Sequence, residues 1–246
     1  MQLTNNTVFI TGGASGIGLA LAQAFVHRNN RVVICGRNPD KIEKVKQDVP
    51  GIHAIRCDVT SDDDIRSAME YCASEKLDIN ILVNNAGVQY RYDFLSECAA
   101  DAKIRAEVDT NFTAVVNLTY RFLPVLKKSP TAAVVNISSF LGIVPKGSAP
   151  VYCATKAAVH AFSKALRYQL AQSPIKVFEV LTPLVDTEMT KGREIDVGKM
   201  PPDILAGKVL RGIETDRYEI TPGRTKVVLL LNRIFPSLIE KAMKKR

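Results

Sequence analysis

Several things are missing from or sparse in this 246-residue sequence, and most of these gaps remove a class of protein. Tryptophan is absent, which by itself decides nothing. Cysteine is sparse: Cys35, Cys57, Cys72, Cys98 and Cys153 are odd in number, widely spaced and free of any CxxC pair. Neither a disulfide framework nor a zinc or other metal site is expected from them, and a reducing cytoplasm is. The opening MQLTNNTVFITGG lacks the charged lead and long apolar core of a signal peptide. The most apolar late stretch, KVVLLLNRIF, is interrupted by Arg233, precedes Pro236 and falls far short of the roughly 20 residues that cross a bilayer, so a packed helix is expected there. There are no internal repeats and no low-complexity tract.

What is present fits a globular chain with one substantial core: 46% hydrophobic and 24% charged residues, with no compositional seam between domains. The formal charge of +8 is concentrated late, because residues 211–246 hold nine Lys or Arg against four Asp or Glu. A charge excess confined to a tail such as EKAMKKR reads as a solvated helix end and not as a nucleic-acid footprint. The sharper alternative for the tail of residues 225–246 is weak contact with an anionic membrane surface or with a partner.

Short runs rich in β-branched residues recur between longer helical patterns: 7–11, 31–35, 52–57, 79–83, 132–137 and 175–180, with a further short strand at 218–221. Near-continuous apolar runs of this kind belong to strands covered on both faces, and the intervals are long enough for crossover helices. Helices are expected at 16–29, 39–48, 61–75, 97–126, 151–171 and 202–213, and a final one from 225, broken at Pro236. Residues 188–202, polar and ending in paired prolines, read as a mobile connection over the substrate. The fold class is α/β: one domain with a doubly wound parallel sheet of about seven strands and helices on both faces, whose ligands bind beyond the carboxyl ends of the strands.

TGGASGIG, from Thr11 to Gly18, joins the first strand to the first helix. Gly12, Gly16 and Gly18 permit a tight turn and close approach of a diphosphate to the helix N-terminus, where free N–H groups and the dipole favour an anion. The spacing is GxxxGxG, a variant of the dinucleotide fingerprint, and alone it is weak. At the end of the second strand, where an NAD enzyme presents a carboxylate to the ribose, this sequence has Gly36 and Arg37. A guanidinium there suits a 2′-phosphate, so NADP(H) is preferred, with NAD(H) second; Arg28 and Lys41 are candidates to assist by charge.

VYCATKAAVH places Tyr152 and Lys156 one helical turn apart on one face. A tyrosine beside a lysine on a helix surface is common, and only context makes the pair chemical. That context is an ordered series: the glycine loop, CDV at 57–59, NNAG at 84–87, Asn111, ISS at 137–139 and YCATK at 152–156. In this order the chain resembles the short-chain dehydrogenase/reductase family from about residue 5 to 190. PVYCATKAA and PLVDTEM are further similar to a bacterial subgroup of DltE-type oxidoreductases.

The resemblance implies a Rossmann-type fold and a catalytic set of Ser139, Tyr152 and Lys156 with Asn111. Ser139 is preferred to Ser138 for its S-x-x-G spacing to Gly142. It implies cofactor contacts from Gly12, Ser15, Gly16, Ile17, Gly18, Arg37, Asp58 with the adenine amine, Val59, Asn85, Ala86, Gly87, Tyr152, Lys156, and Thr187 with the carboxamide. It also implies a small carbonyl or alcohol substrate and a homodimer or homotetramer formed through the helices at 97–126 and 151–171. One departure stands out: Pro183-Leu184 occupies the place of the family's usual Pro-Gly.

A phenol with a pKa of about 10 becomes usable near neutrality when a neighbouring ammonium favours its phenolate. Tyr152 is therefore the expected general acid/base, Ser139 a hydrogen-bond donor to the reacting oxygen, and Lys156 both tuner and ribose ligand. His27, His53 and His160 lie away from strand carboxyl ends and are expected to be ordinary surface or partly buried residues. Phe140, Leu141 and Val144 are expected either to wall the substrate or to pack on the final helix, and Tyr90, Arg91 and Tyr92 to form a solvated loop. The expected activity is NADP-dependent hydride exchange with a carbonyl or alcohol; the alternative is a regulatory protein that senses NADP(H) without turnover.

Overall fold

The computed structural model describes residues 1–91, 93–95, 100–192 and 198–244. Tyr92, Cys98, the opening of the helix expected from 97, the middle of the 188–202 segment and the last two residues of the basic tail lie outside the described residues.

Seven strands are present among the described residues: β1 Thr7–Thr11, β2 Arg31–Gly36, β3 His53–Arg56, β4 Ile81–Asn84, β5 Ala132–Ser139, β6 Ile175–Thr182 and β7 Glu219–Ile220. All pair in parallel, in the order β3-β2-β1-β4-β5-β6-β7. The chain builds outward from β1 to β3, then returns to the other side of β1 at β4, which opens a crevice between β1 and β4 at the carboxyl edge.

The alternation of a pleated strand, with both faces covered, explains why these runs are nearly all apolar. Along β1, Val8 and Ile10 enter the core layer on one face with Leu21, Phe25 and Val209, while Phe9 enters the other with Ile65, Leu118 and Phe122. Phe9 and Phe122 meet with ring centroids 5.0 Å apart. Each such fully buried side chain contributes on the order of 2 kcal/mol.

The helices are α1 Gly16–Val26, α2 Pro39–Asp48, α3 Asp62–Ser74, α4 Asp101–Val108, α5 Ala114–Leu126, α6 Pro150–Gln169, α7 Pro202–Glu214, α8 Thr225–Ile234 and α9 Pro236–Lys244. Local chemistry starts several of them. Asn38 accepts from the Lys41 N–H at 3.0 Å ahead of Pro39, and Ser61 accepts from the Asp64 N–H at 3.2 Å ahead of three aspartates in the first turn.

Two expectations are refined. The single helix expected over 97–126 is interrupted by a π-helical turn, Asp109–Thr113, between α4 and α5. The segment expected as a packed helix at 226–235 packs on one face only: Val228 and Leu229 turn inward while Val227, Leu230, Leu231 and Ile234 face out. Within the near-continuous apolar runs, three polar residues are aligned across the sheet. Asn84, Asn136 and Glu179 are in register on β4, β5 and β6. Asn84 Nδ2 donates to Asn136 Oδ1 at 2.8 Å and to Thr119 Oγ1 at 3.0 Å, and Asn136 Nδ2 donates to Ser163 Oγ at 2.9 Å. This buried row fixes α5 and α6 against the middle of the sheet, where apolar packing alone tolerates sliding.

Candidate active site

The glycine loop leaves β1 at the switch point and enters α1. Gly12 and Gly16 have φ of +63° and +53°, the left-handed region that side-chain-bearing residues rarely adopt. Gly18 is required for another reason: a Cβ on it would lie 2.3 Å from the Gly12 carbonyl oxygen. Gly13, which the motif reading passed over, is equally constrained, because a Cβ there would meet Ile34 at 2.5 Å.

NNAG fastens this loop from the neighbouring strand. Asn85 Nδ2 donates to the carbonyls of Thr11 at 2.8 Å and Gly12 at 3.2 Å, and Thr11 Oγ1 accepts from the N–H groups of Asn85 and Ala86 at 2.9 and 3.0 Å. The result is a continuous groove along the carboxyl edge. One half is lined by Ser15, Gly36, Arg37, Lys41, Val59 and Ala86; the other by Gly16, Ile17, Asn85, Gly87, Lys156 and Thr187.

The charges at the first half are only partly as expected. Arg37 stands at the rim with Nη1 3.9 Å from Asp58 Oδ2, while Asp58 Oδ1 accepts from Thr60 N and Oγ1 at 3.0 and 2.8 Å. Lys41 lines the groove and pairs with Glu188 across it, which holds the Glu188 carboxyl below its ordinary range. Arg28 does not assist: it follows the C-terminal end of α1, about 16 Å along the helix from the loop, and pairs there with Glu214.

At the other end, α6 presents Tyr152 and Lys156 one turn apart, both buried. The Lys156 ammonium donates to the Ile137 carbonyl at 2.9 Å and lies 5.7 Å from the Tyr152 ring centre. Burial pushes the lysine pKa down to about 8, against the opposing pull of Glu179. Ser139 ends β5, and its Oγ accepts from the Leu141 N–H at 3.2 Å. The S-x-x-G spacing has a steric cause. A Cβ on Gly142 would lie 2.6–2.8 Å from the backbone of Lys156 and Ala157, so only glycine lets the turn after Ser139 rest against α6.

Asn111 sits on the π turn, fully buried. Its Oδ1 accepts from the Val88 N–H at 2.8 Å, and its Nδ2 donates to the Val88 carbonyl at 2.9 Å and to Thr155 at 3.3 Å. A Cβ on Gly87 would be 3.2 Å from Asn111 Oδ1 and 3.8 Å from Lys156 Nζ, so these three residues converge.

Beyond Ser139 and Tyr152 opens a second pocket, walled by Phe140, Leu141, Leu184, Val185, Met189 and Met243. Leu141 serves both expected purposes, facing the pocket and packing on Met243; Val144 packs only. Arg91, expected in a solvated loop, lines the pocket, as do Gln89 and Lys146. Met243 carried no local signal, since it reaches the site only through the return of the chain end. The three histidines line neither cavity; His53 meets the Tyr71 hydroxyl at 3.0 Å and His160 meets Glu179 at 2.7 Å. Cys35, Cys57, Cys72 and Cys153 are buried thiols, and no metal-holding cluster occurs among the described residues.

Comparison with known proteins agrees with this arrangement. A family description for short chain dehydrogenases matches residues 6–197. The uncharacterized oxidoreductase DltE of Bacillus subtilis (strain 168) is 40% identical over 222 residues, covering 89% of this chain and 83% of its own. A short chain dehydrogenase from Burkholderia cenocepacia J2315 in complex with NADP superposes with a TM-score of 0.86 at 25% identity, covering 99% of both chains. A short-chain dehydrogenase from Sphingobium yanoikuyae in complex with NADPH gives 0.75 at 31% identity, covering 87% of this chain and 86% of that one. A fastened glycine loop at the switch point, a serine, tyrosine and lysine beyond it, and a match spanning most of the sequence make this chain a member of the short-chain dehydrogenase family, an oxidoreductase of the DltE type.

Proposed function

We propose that the protein is an NADP-dependent reductase of a ketone or aldehyde, reversible as an alcohol dehydrogenase, with Tyr152 as general acid/base. The observation that carries this reading is the position of Tyr152 at the junction of the two cavities: it lines both the glycine-loop groove, with Lys156, and the apolar pocket, with Ser139.

The groove suits a dinucleotide. Its floor is glycine where a side chain would obstruct, the first turn of α1 offers N–H groups to a diphosphate, and Arg37 stands where a 2′-phosphate needs a cation. Gly16, Ile17, Asn85, Gly87 and Thr187 complete the contacts, Gly18 serves only to let α1 close on the Gly12 carbonyl, and the NADP-bound and NADPH-bound relatives support the same preference. NAD(H) is the weaker second choice. When bound, the cofactor supplies the hydride that reduces the carbonyl carbon.

Tyr152 then delivers its phenolic proton to the carbonyl oxygen, and in the oxidative direction its phenolate takes the alcohol proton. Ser139, whose Oγ is held by the Leu141 N–H, directs its hydroxyl proton to the same oxygen and stabilises the charge that develops there. The Lys156 ammonium, anchored on Ile137, lowers the cost of the phenolate, while Asn111 and Gly87 shape the path by which protons exchange with solvent. The mostly apolar pocket wall selects a substrate with an apolar body, and Lys146 and Arg91 at its edge favour one that carries an anionic group.

For the quaternary state, exposed Tyr120 on α5 and Tyr168 on α6 fit an interface between copies, as expected for a dimer or tetramer. The deciding experiment is NADPH oxidation against a panel of aldehydes and ketones, with Tyr152→Phe as control. NADPH binding without turnover of any carbonyl would favour the sensing role instead.

A further inference from the structure

Apart from Met243 in the pocket wall, the basic C-terminal segment has no part in the chemistry above, yet its two helices, α8 and α9, carry apolar side chains both against the body of the protein and on the outside. Its inner face, Val228, Leu229, Ile239 and Met243, packs on Leu141, Val144 and Cys153. Its outer face is apolar too: Val227, Leu230, Leu231, Ile234, Phe235 and Leu238 are each between 37% and 65% exposed. Fourteen large apolar side chains are exposed among the described residues, and six of them fall in these twelve positions. Such a concentration marks an interaction surface, because scattered exposure would not place them together.

On α8 the outer residues follow the i, i+3, i+4, i+7 rhythm of a single stripe (Val227, Leu230, Leu231, Ile234). At about 100° per residue, Lys226 and Arg233 fall along one edge of that stripe and Arg224 along the other. Residues 224–246 hold seven Lys or Arg against a single Glu240. An apolar stripe with cations on both flanks is the arrangement of a helix that lies in the plane of a bilayer, its apolar side among the acyl chains and its cations among anionic headgroups. No helix of the described residues is long and apolar enough to cross a membrane, so the contact is one of lying on the surface. Self-pairing through the same stripe is disfavoured, since a symmetric contact would bring two strongly cationic edges together.

We propose that the outer face of the α8–α9 pair docks the protein on an anionic membrane surface. The helix pair that carries this face also supplies Met243 to the pocket wall, so docking brings the pocket within about one helix diameter, roughly 10 Å, of the lipid.

The test is co-sedimentation of the full chain with vesicles of phosphatidylcholine alone and of phosphatidylcholine with about 30% phosphatidylglycerol, at about 0.1 M and 0.5 M salt. The protein is expected to sediment with the anionic vesicles at low salt at least tenfold more than with neutral ones, and to be released at high salt. Leu230→Ser with Phe235→Ser should abolish sedimentation while circular dichroism and the molar mass by light scattering stay unchanged. Lys226→Glu with Lys241→Glu should remove the preference for anionic vesicles. The proposal is overturned if the wild type stays in solution with anionic vesicles, or if both double variants sediment as it does. It is equally overturned if the serine double variant lowers the molar mass, which would make the stripe an interface between copies.

Discussion

The Lys156 ammonium lies 5.7 Å from the centre of the Tyr152 ring, held there by the carbonyl of Ile137 on the adjoining strand. The pair therefore depends on β5 as much as on the helix that carries both residues. Removing the phenolic hydroxyl leaves that frame intact. Tyr152→Phe is expected to lower the rate of NADPH-dependent carbonyl reduction by about 10² to 10⁴-fold, the range of a lost general acid, with NADPH affinity within a few fold of wild type by fluorescence titration.

Lys156 also makes stability depend on pH. Its pKa in the folded chain is depressed from 10.5 to about 8 by burial. Between those values the unfolded chain binds the proton more readily than the folded one, so stability contributed by this group rises with pH across that window and is lowest below about 8. The full span corresponds to at most about 3 kcal/mol, at about 1.4 kcal/mol per pH unit. Denaturant midpoints measured from pH 7 to 10 should rise less steeply in Lys156→Met than in wild type; parallel curves would count against a buried ammonium.

His160 supplies a slope of opposite sign. Hydrogen bonding to Glu179 raises its pKa above the ordinary imidazole value. The stabilisation is fully present below about pH 6.5 and is lost as pH rises through the folded value. His160→Gln should flatten the fall in thermal midpoint that wild type shows on the alkaline side of pH 6.5.

On the proposed reading, cofactor preference is set at Gly36 and Arg37. A Cβ on Gly36 would make only ordinary contacts, 3.6 Å from Ala14 and Ile42, so a side chain can branch there without backbone movement. Gly36→Asp with Arg37→Ala places a carboxylate where the 2′-phosphate would sit and removes its cation. The ratio of kcat/KM for NADPH over NADH is expected to fall at least 100-fold, about 3 kcal/mol, and a ratio unchanged by both substitutions would show that the phosphate is read elsewhere.

Gly142→Ala tests the seam between the serine turn and α6. The added methyl would stand 2.6–2.8 Å from the peptide between Lys156 and Ala157, with backbone and no flexible side chain to yield. A loss of about 1–3 kcal/mol in stability is expected, together with a fall in kcat larger than any change in KM, because Ser139 and Tyr152 move apart.

The strands, most helix starts and the ordered motifs from TGGASGIG to YCATK could be read in the linear chain, since periodicity, capping and turn chemistry act over a few residues. So could the neighbourhood of Tyr152 and Lys156 on one helical face, which follows from 3.6 residues per turn. The interrupted helix at Asp109–Thr113 could not, because a π turn changes the local count by one residue and leaves the apolar pattern on either side almost intact. Nor could the polar row from Asn84 to Glu179, whose members are 95 positions apart at their extremes and become neighbours only through strand register. Arg28 and Lys41 looked equivalent in the sequence; the length of α1 separated them. Met243 entered the pocket, and the stripe on α8 was left uncovered, only when the chain end folded back over the serine turn. Short-range chemistry thus determined the elements and the pairing of Tyr152 with Lys156. Long-range packing decided what closes the pocket and which apolar surface stays outside, because those contacts join segments that nothing local relates.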